Sequence, residues 1–130
     1  MCSSDLECSI QRRFQKILEE SPAPGIPAEV KEKMATAALS LTRQQKYSGA
    51  GTVEFILDAD TFEFFFLEMN TRIQVEHPVT EMTTNTDLVS MQIQLALGED
   101  LSHITQNSIK HKGHAIEARI YAEDPSRMFL

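Results

Sequence analysis

Two carboxylates and one amide recur at a spacing that chemistry can use. Glu68 and Asn70 stand two apart in an apolar run, so on a strand both side chains leave the same face. Glu54 falls on what reads as the partner strand of a tight hairpin. Together they make a hard, all-oxygen set of the kind Mg²⁺ or Mn²⁺ accepts beside phosphate oxygens. Two solvated strand glutamates would show the same spacing. Just downstream, Arg72 offers a planar fork for a carboxylate or carbonate, and Glu76 is a candidate general base. A plain surface ion pair is the competing reading of those two. His77 precedes Pro78 and is expected to be extended, fixed by packing and not a metal ligand.

These residues need elements to hold them. Apolar and aromatic residues over 53–57 and 62–69 predict two strands around the polar turn Asp58-Ala59-Asp60-Thr61. The phenylalanines at 64–66 point to both faces and imply cover on both sides. Segment 72–76 should then be irregular and exposed. Upstream, Leu6, Cys8 and Ile10 alternate as a strand would, with Cys8 as a small buried side chain, and polar 11–16 continue it ambiguously. Ser21-Pro22-Ala23-Pro24-Gly25 is a loop, and Pro27 suits the first turn of a helix. Val30, Met34, Ala37, Ala38 and Leu41 give that helix one buried stripe, ending before Ser48-Gly49. A second helix is expected over 87–97, capped by Thr86 and stopped by Gly98. Segment 115–121 reads as a last strand. The order β, α, hairpin, α, β predicts antiparallel α+β architecture.

Composition narrows the function. The 130 residues are 42% hydrophobic and 24% charged, ordinary for one compact domain but short for an independent ligase. A net charge of -7 argues against a general nucleic-acid surface. No apolar run is long enough to span a bilayer or form a signal-peptide core. Cys2 and Cys8 give neither metal spacing nor a disulfide framework, and read as reduced thiols. The five glycines, at 25, 49, 51, 98 and 113, form no Walker or dinucleotide loop.

The run Glu-Met-Asn-Thr-Arg-Ile-Gln-Val-Glu-His-Pro-Val-Thr-Glu at 68–81 resembles the signature of biotin carboxylases, members of the ATP-grasp superfamily. Three further stretches agree in order: Cys-Ser-Ile-Gln-Arg-Arg at 8–13, Gly-Ala-Gly-Thr-Val-Glu-Phe at 49–55, and Gly-His-Ala-Ile-Glu-Ala-Arg at 113–119. The resemblance implies an antiparallel sheet with flanking helices. Residues 6–112 would belong to a partial ATP-grasp domain and 113–130 to the start of the C-terminal domain, with 1–5 unmatched.

For the site, it implies metal at Glu54, Glu68 and Asn70, with Mg²⁺ or Mn²⁺ bridging to ATP phosphates. Lys16, Arg72, Gln74 and the Val75 backbone would hold bicarbonate, with Glu76 as base. Arg119 would face biotin, while Gln11, Ile56 and Glu68 would lie by the nucleotide. The implied reaction makes carboxyphosphate from ATP and bicarbonate, then carboxylates biotin on a carrier protein. Implied partners are that carrier, a carboxyltransferase and a second copy of the parent, in the cytoplasm or the mitochondrial matrix. Departures are Phe14 in place of the usual histidine, Leu6-Glu7 in place of Arg-Asp, and a hairpin about two residues longer. The glycine-rich lid and phosphate-clamping lysines fall outside this sequence, so the chain alone is expected to be inactive. The alternative is a non-catalytic ATP-grasp fragment that associates with partner chains.

Overall fold

The computed structural model describes residues 6–129; the expectations for Met1 to Asp5, Cys2 included, lie outside the described residues. The chain begins with two short strands, β1 (Gln11–Arg12) and β2 (Gln15–Lys16), paired antiparallel. Arg13 and Phe14 join them at φ 51° and 62°, the left-handed pair that a two-residue hairpin turn requires. Phe14 is wholly exposed at the tip. Strand β3 (Leu18–Ser21) follows. The expected 6–10 strand is reduced to one bridge, Glu7 to Glu20. Local bonds compete there with a ladder: Ser9 N donates to Glu7 Oε1 and Gln11 Nε2 to the Cys8 carbonyl. Cys8 is accordingly half-buried.

Helix α1 (Ala28–Gln44) follows Pro27, which stands at its N-cap and not in its first turn; Glu29 in the first turn and Arg43 in the last both match the helix dipole. Of its apolar stripe only Val30 is fully buried.

Strands β4 (Thr52–Leu57) and β5 (Phe64–Asn70) form the expected hairpin. Glu54 pairs with Glu68, but Phe55 pairs with Phe66, so Leu67 is the extra residue of a bulge. The turn runs two residues further than expected. Asp58 Oδ1 accepts from Asp60 N and Thr61 N, and Phe62 N closes on the Asp58 carbonyl at 2.9 Å. The double cover expected for the phenylalanines is absent: the sheet has two strands, and Phe65, Phe66 and Leu67 remain mostly exposed.

Helix α2 (His77–Thr84) was not expected, and His77 is its first residue instead of an extended one. Its backbone N donates to Gln74 O, and its Nδ1 donates to the same carbonyl at 2.7 Å. Those bonds offset the steric bias imposed by Pro78. Asn85, at φ 53°, ends α2. Helix α3 (Leu88–Ala96) is capped by Asp87, whose Oδ1 accepts from Ser90 N at 2.7 Å. Thr86 is not the cap, because its hydroxyl meets Thr84 Oγ1. Strand β6 (Ala115–Ala118) stops before Tyr121 and pairs antiparallel with β3.

Among the described residues, three two-stranded antiparallel sheets therefore stand among three α-helices. The described core is thin and polar. Ala23, Val30, Val79 and Ala115 are buried, beside Glu19, Ser21, Gln74, Glu76, Thr80, Thr83 and Thr84. The accessible surface is 9159 Å², against roughly 6,900 Å² for a monomer of this mass.

Candidate active site

Five separate parts of the chain bring charge to one place. The hairpin supplies Glu54 from β4 and Glu68 and Asn70 from β5. Cross-strand pairing puts Glu54 opposite Glu68, so both carboxylates leave the face that carries Asn70. Asn70 Nδ2 donates to Glu54 Oε1 at 3.1 Å and to Glu68 Oε1 at 3.2 Å. Lys16 enters from β2 and donates to Glu54 Oε1 at 2.7 Å and Glu76 Oε1 at 2.8 Å. The turn before α2 contributes Gln74, which donates to Glu54 Oε1 at 3.1 Å, and Glu76 itself. Arg119, just past β6, closes the chain: Nη2 donates to Glu76 Oε2 and Nε to Glu19 Oε1, both at 2.8 Å. Cations and carboxylates thus alternate from Glu19 through Arg119, Glu76 and Lys16 to Glu54.

Burial sharpens these interactions. Glu76 is 2% exposed, so it carries charge-assisted hydrogen bonds on both oxygens in a nearly water-free setting. Burial alone would push the Glu54 carboxyl up, but the bonds from Lys16 and Gln74 prevail and hold it below its ordinary value. Desolvation likewise opposes the charge on Lys16, yet the Glu54 and Glu76 carboxylates raise its ammonium above 10.5. Burial pushes the neighbouring Cys8 thiol up to about 12, with Lys16 pulling the other way. That thiol is not a ready nucleophile.

Glu54, Glu68, Asn70, Lys16, Gln74, Glu76 and Arg119 are therefore assembled as one network. Arg72 lies at its edge, exposed, with Nη1 donating to the Ile73 carbonyl; its charge still lowers Glu54. Segment 72–76 is not uniformly exposed as expected, because Gln74 and Glu76 are buried while Val75 is 60% exposed. Gln11 donates to Cys8 O and Ile56 is 57% exposed, and neither has a bond into the network. Glu19 was missed: in Leu-Glu-Glu-Ser a glutamate reads as solvated, and only the paired strand reveals it as fully buried.

Among the described residues no three His, Cys, Asp or Glu side chains gather to hold a metal. The donor set is two carboxylates plus the Asn70 amide oxygen. Its electrostatics fit, since the partly positive Asn70 amide nitrogen sits between the two carboxylates, where a cation would be attracted. Turning that amide over would present its oxygen to the same point.

With this geometry, an antiparallel α+β frame carries a carboxylate–amide group beside a buried carboxylate, Glu76, flanked by the cations Lys16 and Arg119. Residues 1–104 match the family model described as carbamoyl-phosphate synthase L chain, ATP binding domain, and the chain belongs to that family. It is 57% identical over 124 residues to methylcrotonoyl-CoA carboxylase subunit alpha, mitochondrial, of Mus musculus, covering 95% of this chain and 17% of that protein. Biotin carboxylase 1 of Bacillus subtilis (strain 168) is 54% identical over 124 residues, covering 95% of this chain and 27% of its own length. The biotin carboxylase domain dimer of Hydrogenobacter thermophilus 2-oxoglutarate carboxylase, solved with MgADP, ADP and bicarbonate, superposes with a TM-score of 0.87. Identity there is 46%, covering 95% of this chain and 27% of that one. The fold is that of ATP-grasp biotin carboxylase domains, and the resemblance carried by 68–81 holds. The chain spans 17% and 27% of the lengths of these two curated relatives.

Proposed function

We propose that this chain supplies the metal- and bicarbonate-facing part of a biotin carboxylase site within a longer ATP-dependent carbon–nitrogen ligase. The observation that carries this reading is the convergence of Lys16 and Arg119 on buried Glu76, beside Glu54.

Bicarbonate is a poor nucleophile until it loses a proton. Arg72, Lys16, Gln74 and the Val75 backbone hold the anion next to Glu76, which takes that proton. A carbonate oxygen then attacks the γ-phosphorus of ATP, and the bond to ADP breaks, leaving carboxyphosphate. A divalent ion held by Glu54, Glu68 and Asn70 would neutralise phosphate charge during this transfer. Gln11 and Ile56 serve the nucleotide side. Arg119 faces the biotin ring and offsets negative charge on the ureido group as its nitrogen gives up its proton to the departing phosphate and takes up the carboxyl carbon. Lys16 and Arg119 are held on Glu76 until incoming anions compete for them.

Biotin arrives on a carrier, and a carboxyltransferase component selects the final acceptor. The parent assembles as a homodimer, in the cytoplasm or mitochondrial matrix. No helix among the described residues is long and apolar enough to cross a membrane.

A second reading, association without catalysis, is favoured by the open apolar surface of Phe65, Phe66, Leu67, Val89, Ile93 and Leu97. The deciding measurement is ADP release by the 130-residue chain and by a longer protein containing it. The proposal expects bicarbonate-dependent release, raised by biotin, from the longer protein alone. Release indifferent to bicarbonate overturns it. Inactivity of both, with concentration-dependent self-association of the chain, supports the second reading.

A further inference from the structure

The inner face of the β3–β6 sheet carries two carboxylates directly opposite one another. Glu19 and Glu117 are partners in the antiparallel register, so their side chains leave the same face. Glu19 is 0% exposed, and its Oε1 accepts from Arg119 Nε. Its Oε2 is buried without a donor, and so is Oε2 of Glu117. Two facing acceptors cannot satisfy each other while both are ionised, and buried orphans of this kind are costly. One proton satisfies both. A metal ion would need a third ligand, and no such acidic triad exists among the described residues.

We propose that Glu117 and Glu19 share one proton, carried on Glu117 Oε2 and donated to Glu19 Oε2 directly or through a single water, and that this pair positions Glu19 to hold Arg119. Glu117 is thus a positioning residue, acting on Arg119 through Glu19. The groups facing Glu117 are Glu19 from β3, Glu76 and His77 at the start of α2, and Arg119 beyond β6. Burial favours its proton most, then Glu19 and Glu76; Arg119 and His77 oppose it, and the balance raises the carboxyl above 4.5. Stability from this group is therefore full below 4.5 and falls as pH rises through the higher folded value.

The test is a carboxyl ¹³C NMR titration of the glutamate-labelled chain, with Glu117 assigned by its loss in Glu117→Gln. The proposal expects a Glu117 midpoint clearly above 4.5 that returns toward 4.5 in Glu19→Gln. It also expects Arg119 Nε–H exchange to stay slow in Glu117→Gln, which keeps a donor, and to quicken about tenfold in Glu117→Ala, since an orphaned acceptor is costly. An ordinary wild-type midpoint overturns it, as does equal Arg119 exchange in the Gln and Ala variants. Should Glu19→Gln fail to fold, the wild-type midpoint decides alone.

Discussion

Lys16 Nζ stands 2.8 Å from Glu76 Oε1 across 60 positions of sequence, and the same ammonium is 2.7 Å from Glu54 Oε1. One cation therefore ties β2, the β4–β5 hairpin and the turn before α2 together. Its side chain is 15% exposed and that of Glu76 3%, so water screens the pair weakly. Removing one partner of a buried pair strands the other charge. Lys16→Met is expected to cost about 3 kcal/mol, read as a lower urea midpoint. A midpoint within error of wild type would show that the hairpin is held by other means.

Around Lys16, three groups make stability depend on pH. Glu54 is depressed below 4.5, so its contribution is present above 4.5 and is lost as pH falls through the lower folded value. Cys8 is raised from 9.0 to about 12, so stability declines across that window. Lys16 is raised above 10.5, and its share is lost as pH rises through the still higher folded value. Urea unfolding at pH 8 and pH 10 should therefore show a loss at pH 10. That loss should shrink in Cys8→Ala. An undiminished loss would point to groups other than this thiol.

Divalent binding should be weak in isolation. Two carboxylates and one amide oxygen leave several positions for water or phosphate. Water-proton relaxation with Mn²⁺ is expected to show a site that tightens when ATP is added and weakens in Glu68→Gln. Identical relaxation in that variant would remove Glu68 from the metal site.

In a longer protein containing this chain, Glu76→Gln and Arg72→Ala should fail in different ways. The glutamine keeps size and polarity but not the base, so turnover should fall about 10²- to 10⁴-fold with nucleotide affinity retained. Arg72→Ala removes a fork for the anion, and the bicarbonate KM should rise. Steady-state kinetics against bicarbonate, with melting temperatures alongside, separates these effects. A common loss of melting temperature with unchanged kinetics would reduce both residues to a structural pair.

Legibility in the sequence followed the reach of each interaction. The hairpin was readable because apolar and aromatic runs around a polar turn are local signals, and Glu68 and Asn70 share a face by strand geometry; that Glu54 stands directly opposite Glu68 came only from the strand register. Helix α1 was readable from its stripe. Helix α2 was not, because threonines are weak helix formers. Thr83 and Thr84 become acceptable there by donating to carbonyls one turn back, at 2.9 and 2.7 Å. The β3–β6 pairing spans about a hundred positions, so nothing local marked Glu19 as buried or Arg119 as its partner. The resemblance supplied Arg119 and Lys16; spacing alone supplied neither.

The thin, hydroxyl-rich core also has a calorimetric consequence. Exposing apolar area raises the heat capacity of unfolding, and exposing polar area lowers it. Here α2 packs against β3 and β6, Ser21 Oγ lies 3.5 Å from Thr83 Oγ1, and the residues buried in these elements are Thr80, Thr83, Thr84, Ser21 and Glu19 beside only Val79 and Ala115. Much large apolar surface already faces water in the folded state. The heat-capacity increment should therefore fall below the roughly 1.6–2.0 kcal/mol/K typical of a chain this long. Such a chain has a shallow stability curve: cooling weakens it little, and heating unfolds it over a broad interval instead of at a sharp threshold.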